Sequence, residues 1–123
     1  MSGPMPPQEL LRAADSLLTG HGSSLERCWQ RACAALLRVA LERTLDDFWR
    51  RRAPALVGAS MRAQLLVLRE LAGETTARTA RSAWDELCLA VHHHSYELPP
   101  TAAELRSWYA EIVRLGDRLR QRR

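Results

Sequence analysis

Apolar residues recur at intervals of three and four along most of the chain, which is the spacing of one face of an α-helix. The pattern predicts five helices, over about residues 7–19, 24–52, 60–71, 74–93 and 102–120. Residues 1–6 precede the pattern and are expected to form a disordered leader. Residues 7–123 are then predicted to form one domain, since their number suits a single hydrophobic core.

Turn and capping residues mark the ends of these predicted helices. Ser23 with Glu26, and Thr101 with Glu104, have the spacing of a capping box, in which side chain and backbone exchange hydrogen bonds at a helix start. Pro54 ends the second helix, because the residue before a proline avoids helical dihedral angles. Strands are not expected, since β-branched and aromatic residues are scarce. The predicted fold is therefore an all-α, single-domain antiparallel bundle of about five helices.

The second predicted helix is long and carries two apolar stripes. One stripe contains Trp29 and the other contains Trp49. Two stripes are typical of a central helix, or of a helix that serves both the core and a partner molecule. On the second interpretation the two tryptophans would lie in a dimer interface.

The other predicted helices each have one apolar face. Residues expected to point inward from the third helix are Met61, Leu65, Leu66 and Leu68. Trp84, Trp108 and Tyr109 lie within the stripes of the fourth and fifth helices. Aromatic side chains can stack on nucleic-acid bases, but positions within an apolar stripe favour packing in the core.

The formal net charge is +4, and residues 114–123 alone, with five arginines and one aspartate, account for it. A broad nucleic-acid face is therefore not predicted. The candidates for phosphate contact are Arg81 and the run of Arg50, Arg51 and Arg52. The alternative, which we prefer, is that the arginine run forms a solvated helix C-terminus and complements the helix dipole. The chain has no lysine, which a GC-rich genome explains more simply than phosphate recognition.

The three cysteines, Cys28, Cys33 and Cys88, form no CxxC pair. Their number and their helical surroundings favour reduced, buried thiols and a cytoplasmic protein. The first residues lack the basic and apolar regions of a signal peptide. No apolar run reaches the ~18 residues that a membrane span needs, so no membrane association is expected.

The most unusual chemistry lies between residues 84 and 109, where three consecutive histidines precede an inter-helix loop. His92, His93 and His94 are followed by Tyr96 and Glu97. As cations, the histidines could cap the fourth helix. A metal site would need further ligands and matches no standard zinc spacing, so neither a metal nor another cofactor is predicted.

A catalytic role is the third interpretation of the histidines. Metal-free RNA cleavage needs a group that titrates near neutrality to take the ribose 2′-OH proton or to protonate the leaving oxygen. It also needs an arginine or lysine to stabilise the charge on the phosphorane. Histidines at a helix end could supply the first requirement, with Tyr96 and Glu97 as helpers.

The segments RVALERTLDDFW and WDELCLAVHHHSYELPPTAAEL, together with the helical layout, resemble the HEPN superfamily. The resemblance covers most of residues 24–115 and is specific around 84–105. It implies a helical bundle that dimerises, here through the second and fourth helices. It also implies a metal-independent ribonuclease of a toxin–antitoxin or phage-defence system, with RNA and a cognate protein as partners.

The HEPN motif has four to six residues between its arginine and its histidine. The histidine matches His92, His93 or His94, but the corresponding arginine positions hold Asp85, Glu86, Leu87, Cys88 and Leu89. Ten residues lie between Arg81 and His92. Two alternatives follow: another arginine takes this place in space, or the domain is a non-catalytic module that binds a protein or nucleic acid.

Overall fold

The structure is a computed structural model, and it describes residues 5–20, 29–92 and 98–121. Its helices are α1 (Pro7–Gly20), α2 (Trp29–Arg52), a short 3₁₀ turn (Pro54–Leu56), α3 (Met61–Ala72), α4 (Glu74–Val91) and α5 (Ala102–Gln121). The described residues contain no strand. The prediction of an all-α bundle of five helices is therefore confirmed.

Contacts between side chains and distant carbonyls define how the helices run. The Cys33 thiol near the start of α2 donates to the carbonyl of Ala14, while Pro7 at the start of α1 lines one cavity with Arg51 at the end of α2, so α1 and α2 are antiparallel. Arg31, near the start of α2, reaches the end of α4, so these two helices are antiparallel as well. Arg51 and Leu119 meet near the ends of α2 and α5, which therefore run parallel. Helices α1 and α2 are therefore antiparallel, as are α4 and α5, whereas α2 and α5 run parallel.

Helix α2 is the centre of the core. Ten of its residues are buried, and they spread over more than one face. Trp49 is fully buried and Trp29 is 5% exposed. The two tryptophans thus pack within the chain's own core, and the proposal that they form a dimer interface is not supported by their burial. The broad apolar surface is explained by three neighbours, since α1, α4 and α5 all pack on this helix.

Helix α3 lies at the edge and packs mainly on α4. Leu68 is buried as predicted, and Met61 and Leu65 are half-buried. Leu66 is 60% exposed, so its predicted inward orientation is wrong. One neighbouring helix covers only a narrow stripe of α3, and Leu66 falls outside that stripe.

The described helix ends agree closely with the predicted ones. The Thr101–Glu104 capping box is confirmed, because the Thr101 backbone N–H donates to Glu104 Oε1 at 2.9 Å and Thr101 Oγ1 accepts from the Glu104 N–H at 3.1 Å. The predicted box of Ser23 and Glu26 lies outside the described residues. Gly73 joins α3 to α4 with a φ of 94°, a conformation that glycine adopts without steric cost.

Candidate active site at the end of α4

Helix α4 ends two residues earlier than predicted, at Val91. His92 has an extended backbone (φ −63°, ψ 129°), and its N–H still donates to the carbonyl of Cys88 at 3.2 Å. His92 is therefore the residue at which the chain leaves the helix. Its side chain is exposed. The last carbonyls of a helix lack partners within the helix, and here they lie directly beside the histidines.

An arginine from α2 donates hydrogen bonds to two of these carbonyls. Arg31 Nη1 donates to the carbonyl oxygen of His92 at 3.0 Å and to that of Ala90 at 3.2 Å. A guanidinium at a helix C-terminus also interacts favourably with the negative end of the helix dipole. The cap of α4 is thus a guanidinium from another helix, and it brings a permanent positive charge to the first of the three histidines.

The segment after His92 is bounded by a second fixed element. Pro100 is buried, and the capping box at Thr101 begins α5 immediately after it. Trp108 Nε1 donates to Glu86 Oε1 at 2.7 Å, which ties α5 to α4 about two turns before His92. The predicted site residues His93, His94, Tyr96 and Glu97 lie outside the described residues. Of the predicted catalytic group, the structure describes His92.

Sequence reasoning did not identify Arg31. Its partners are 59 and 61 residues away in the chain, so no local spacing relates it to the histidines. The one available signal was negative: the arginine that the HEPN motif requires is missing from residues 85–89. Such a gap directs attention to arginines elsewhere, but choosing Arg31 requires the packing of α2 against α4.

The predicted phosphate contacts at Arg50, Arg51 and Arg52 are engaged within the chain. Arg50 forms an ion pair with Asp47 at 3.1 Å. Arg51 Nη2 donates to the carbonyl of Leu119 at 3.3 Å, at the end of α5. The guanidiniums of Arg51 and Arg52 lie 5.9 and 5.7 Å from the centre of the Phe48 ring. These contacts support the interpretation of the run as a stabilising helix end, and phosphate binding by it stays a prediction.

Arg81, the fourth predicted phosphate contact, is remote from the histidines. Arg81 lies on α4, 11 residues before His92, which directly follows the helix. The two residues are therefore about 16 Å apart along the helix axis, at 1.5 Å per residue. Its side chain is 71% exposed, and its Nε lies 4.0 Å from Asp85 Oδ2. Arg81 belongs to a different surface, the groove between α3 and α4.

The two described cysteines differ in accessibility. Cys33 is fully buried, and burial raises the pKa of its thiol from 9.0 to about 11. Its thiol is therefore neutral and unreactive at physiological pH. Cys88 is half-buried, one turn before His92. Burial was predicted for all three cysteines; it is confirmed for Cys33, Cys88 is only partly buried, and Cys28 lies outside the described residues.

Across residues 5–20, 29–92 and 98–121, no three His, Cys, Asp or Glu side chains gather in a way that could hold a metal ion. None of the helices in these ranges has both the length and the apolar character of a membrane span. No protein-family model matches the sequence, and comparisons with curated proteins and with solved structures give no match either. The HEPN resemblance thus stays a prediction from the residues that carry it.

Proposed function

We propose that this chain is a HEPN-like, metal-independent endoribonuclease whose active site is the corner between α4 and α5. The observation that supports the proposal is the position of Arg31. Its Nη1 lies 3.0 Å from the backbone oxygen of His92, so an arginine adjoins the first of the three histidines although the motif positions hold no arginine. Arg31 then takes the part of the HEPN arginine, supplied by α2 instead of α4.

The proposed reaction uses the histidines as acid and base. One imidazole among His92, His93 and His94 removes the proton from a ribose 2′-OH, and the resulting oxygen attacks the adjacent phosphorus. A second imidazole, from the same cluster or from a partner copy, protonates the departing 5′-oxygen. The products are a 2′,3′-cyclic phosphate and a 5′-hydroxyl end. No water or redox reagent is consumed in this step.

Arg31 would act on the charge that develops on the phosphorus. The phosphorane carries more negative charge on its non-bridging oxygens than the starting diester does, and a fixed guanidinium stabilises that charge. Two carbonyls hold the Arg31 guanidinium in place before substrate arrives. Tyr96 and Glu97 are proposed to orient the histidines. The homodimer expected from the HEPN resemblance would bring two such corners together.

The test is cleavage of single-stranded RNA by the purified chain in the presence of a chelator, which inhibits contaminating metal-dependent nucleases. The key variant replaces His92, His93 and His94 with alanine. His21→Ala is the matched control, since His21 is the only other histidine. We expect cleavage by the wild type and by His21→Ala, a loss of at least 100-fold in the triple variant, and unchanged helicity by circular dichroism.

Two results would overturn the proposal. Undiminished cleavage by the triple variant would place the activity in another protein or another site. An absence of cleavage by the wild type would instead favour the second candidate, a non-catalytic HEPN-like module. The Arg31 contact favours that candidate too, because a guanidinium on helix carbonyls is a sufficient structural cap without any catalytic duty.

A further inference from the structure

A second surface, the groove between α3 and α4, has its own chemistry. The groove has a volume of about 610 Å³, and apolar side chains that include Leu65, Leu66 and Trp84 line it. Leu66 is the most exposed of these, at 60%. Among the described helices, α4 is the main neighbour of α3, so the outer face of α3 is left uncovered.

Arginines surround this apolar strip. Arg62 and Arg69 border it on α3, and Arg78 and Arg81 border it on α4. The two carboxylates in the groove are Glu74 and Asp85, so four positive and two negative charges leave a net charge of +2.

The ion pairs within the groove leave part of the positive charge uncompensated. Glu74 is shared, since its two oxygens lie 3.2 Å from Arg69 Nη2 and 2.9 Å from Arg78 Nη2. Arg81 has a long contact of 4.0 Å with Asp85. Arg62 has no ion pair among the described residues. All of the paired side chains are more than half exposed, so a partner's carboxylates could reach them without displacing the core.

We propose that the α3–α4 groove binds an amphipathic helix of a partner protein, with an apolar stripe flanked by acidic residues. A helix lying between two helices buries its stripe in the groove they form. Leu66 and Trp84 would receive the apolar stripe, and the four arginines would pair with glutamates or aspartates on either side of it. Helix α3 is 12 residues long, about 18 Å, which matches three turns of a partner helix.

A second copy of this chain fits the groove less well. A two-fold contact through the groove would bring the same arginines of both copies together, which is repulsive. None of the helices in the described ranges is strongly acidic: α1, with Glu9, Arg12 and Asp15, has a net charge of only −1, and its apolar face packs on α2.

RNA also fits less well than an acidic helix. A nucleic-acid strand carries one negative charge every ~3.4 Å, so it cannot avoid Glu74 and Asp85, whereas a helix can place its acidic residues away from them. An exposed leucine in the centre of the surface gives a phosphate backbone nothing to bind. The lining residue nearest to the histidines in sequence, Asp85, is also about 10 Å from His92 along α4. Binding of a partner helix in the groove can therefore be tested independently of RNA cleavage.

The experiment is a selection of helices displayed on phage against the complete chain. The library holds single helices with leucines fixed at the first and fourth positions of each heptad, and Glu, Lys, Gln and Ala randomised elsewhere. We expect selected helices enriched in Glu beside the leucine stripe, with affinity that falls as salt rises. Recovery of no binders, or of neutral or basic ones, would overturn the proposal.

Two matched leucines locate the binding surface. Leu66→Ser should weaken binding of a selected helix at least 10-fold, and Arg62→Glu should weaken it by a similar factor. Leu89→Ser is the control, because Leu89 is a 73% exposed leucine of α4 outside the groove. Its effect should stay within about twofold. Equal effects of the two serine variants would contradict the assignment of the groove.

The same variants separate the other occupants. Sedimentation of the wild type and of Leu66→Ser tests the second copy: a dimer that dissociates in the variant would assign the groove to self-association and overturn the proposal. Binding of a labelled single-stranded oligouridine tests RNA. Loss of that binding in both Arg62→Glu and Leu66→Ser would assign the groove to nucleic acid and likewise overturn it.

Discussion

At each end of α2 an arginine donates to backbone carbonyls of a neighbouring helix, but the two arginines have different surroundings. At the N-terminal end, Arg31 donates to the last carbonyls of α4. At the C-terminal end, Arg51 donates to a carbonyl at the end of α5. Both arginines fasten a neighbouring helix to the central one, which is possible because α4 runs antiparallel to α2 and α5 runs parallel to it.

What differs is the chemistry beside each arginine. Arg51 is accompanied by the Phe48 ring and by Arg50 paired with Asp47, so its neighbourhood is packed and charge-balanced. Arg31 donates to the carbonyl of His92, an exposed histidine that two further histidines follow in the sequence. A contact with an obvious structural function can thus lie beside a group whose chemical reactivity the fold does not need.

The largest expected effect is a difference in RNA cleavage between Arg31→Gln and Arg51→Gln. Removal of one donor to a developing oxyanion costs about 10²–10³-fold in rate. We therefore expect a loss of that size for Arg31→Gln and a change within about twofold for Arg51→Gln, measured as initial rates with a chelator present. Equal losses in two folded variants would show that Arg31 serves the fold alone.

Alkaline pH should weaken the N-terminal half of α2, where Cys33 is buried. Between pH 9.0 and about 11 the thiol of the unfolded chain loses its proton while the native thiol, with its raised pKa, keeps it. The unfolded state then binds fewer protons, so stability falls as pH rises. A shift of this size corresponds to roughly 2–3 kcal/mol.

Urea denaturation at several pH values across this window measures the effect. Cys33→Ala is the control, and it should show a flatter pH dependence on a lower overall stability. Few other groups interfere, because the chain has no lysine. An equally steep decline in the variant would assign the pH dependence to other groups.

The two arginine contacts should contribute similarly to stability, in contrast to their unequal effects on cleavage. Hydrogen bonds from charged groups contribute about 1.5–3 kcal/mol, and partial exposure places both contacts at the lower end. Arg31→Gln and Arg51→Gln should each lower the free energy of unfolding by about 1–2 kcal/mol. The sites are 20 residues apart on α2, about 30 Å. Chemical denaturation of the double variant should therefore give the sum of the two losses.

The smallest effect is expected at the start of α5. Thr101→Ala removes the side chain that accepts from the Glu104 N–H and should cost about 1 kcal/mol in the free energy of unfolding. Because the cap begins the helix that follows the histidines, RNA cleavage should fall more than in Ser60→Ala. Ser60→Ala removes a comparable cap at the start of α3, where Ser60 Oγ accepts from the Ala63 N–H. Equal rates of RNA cleavage by Thr101→Ala and Ser60→Ala would show that the α5 cap does not contribute to the proposed active site.

The helices and most of their ends follow from the sequence, because capping residues, glycines and apolar spacing act within a few residues. The start of α5 at the Thr101–Glu104 box is one example. Leu66 shows where such reasoning fails, since periodicity identifies a candidate face but not how much of it a neighbour covers. Arg31 shows the same limit for the site. Its contact depends on how α2 packs against α4, which no local pattern determines.

The Arg31 contact also bears on how the end of α4 responds to pH. A guanidinium keeps its charge at every physiological pH, whereas an imidazole capping the helix would lose its charge, and its hold on the carbonyls, near neutrality. With Arg31 on the carbonyls of Ala90 and His92, the charge that holds these carbonyls is one that a change of pH does not remove. Helix α2 can then hold the end of α4 equally firmly in mildly acidic and in neutral solution.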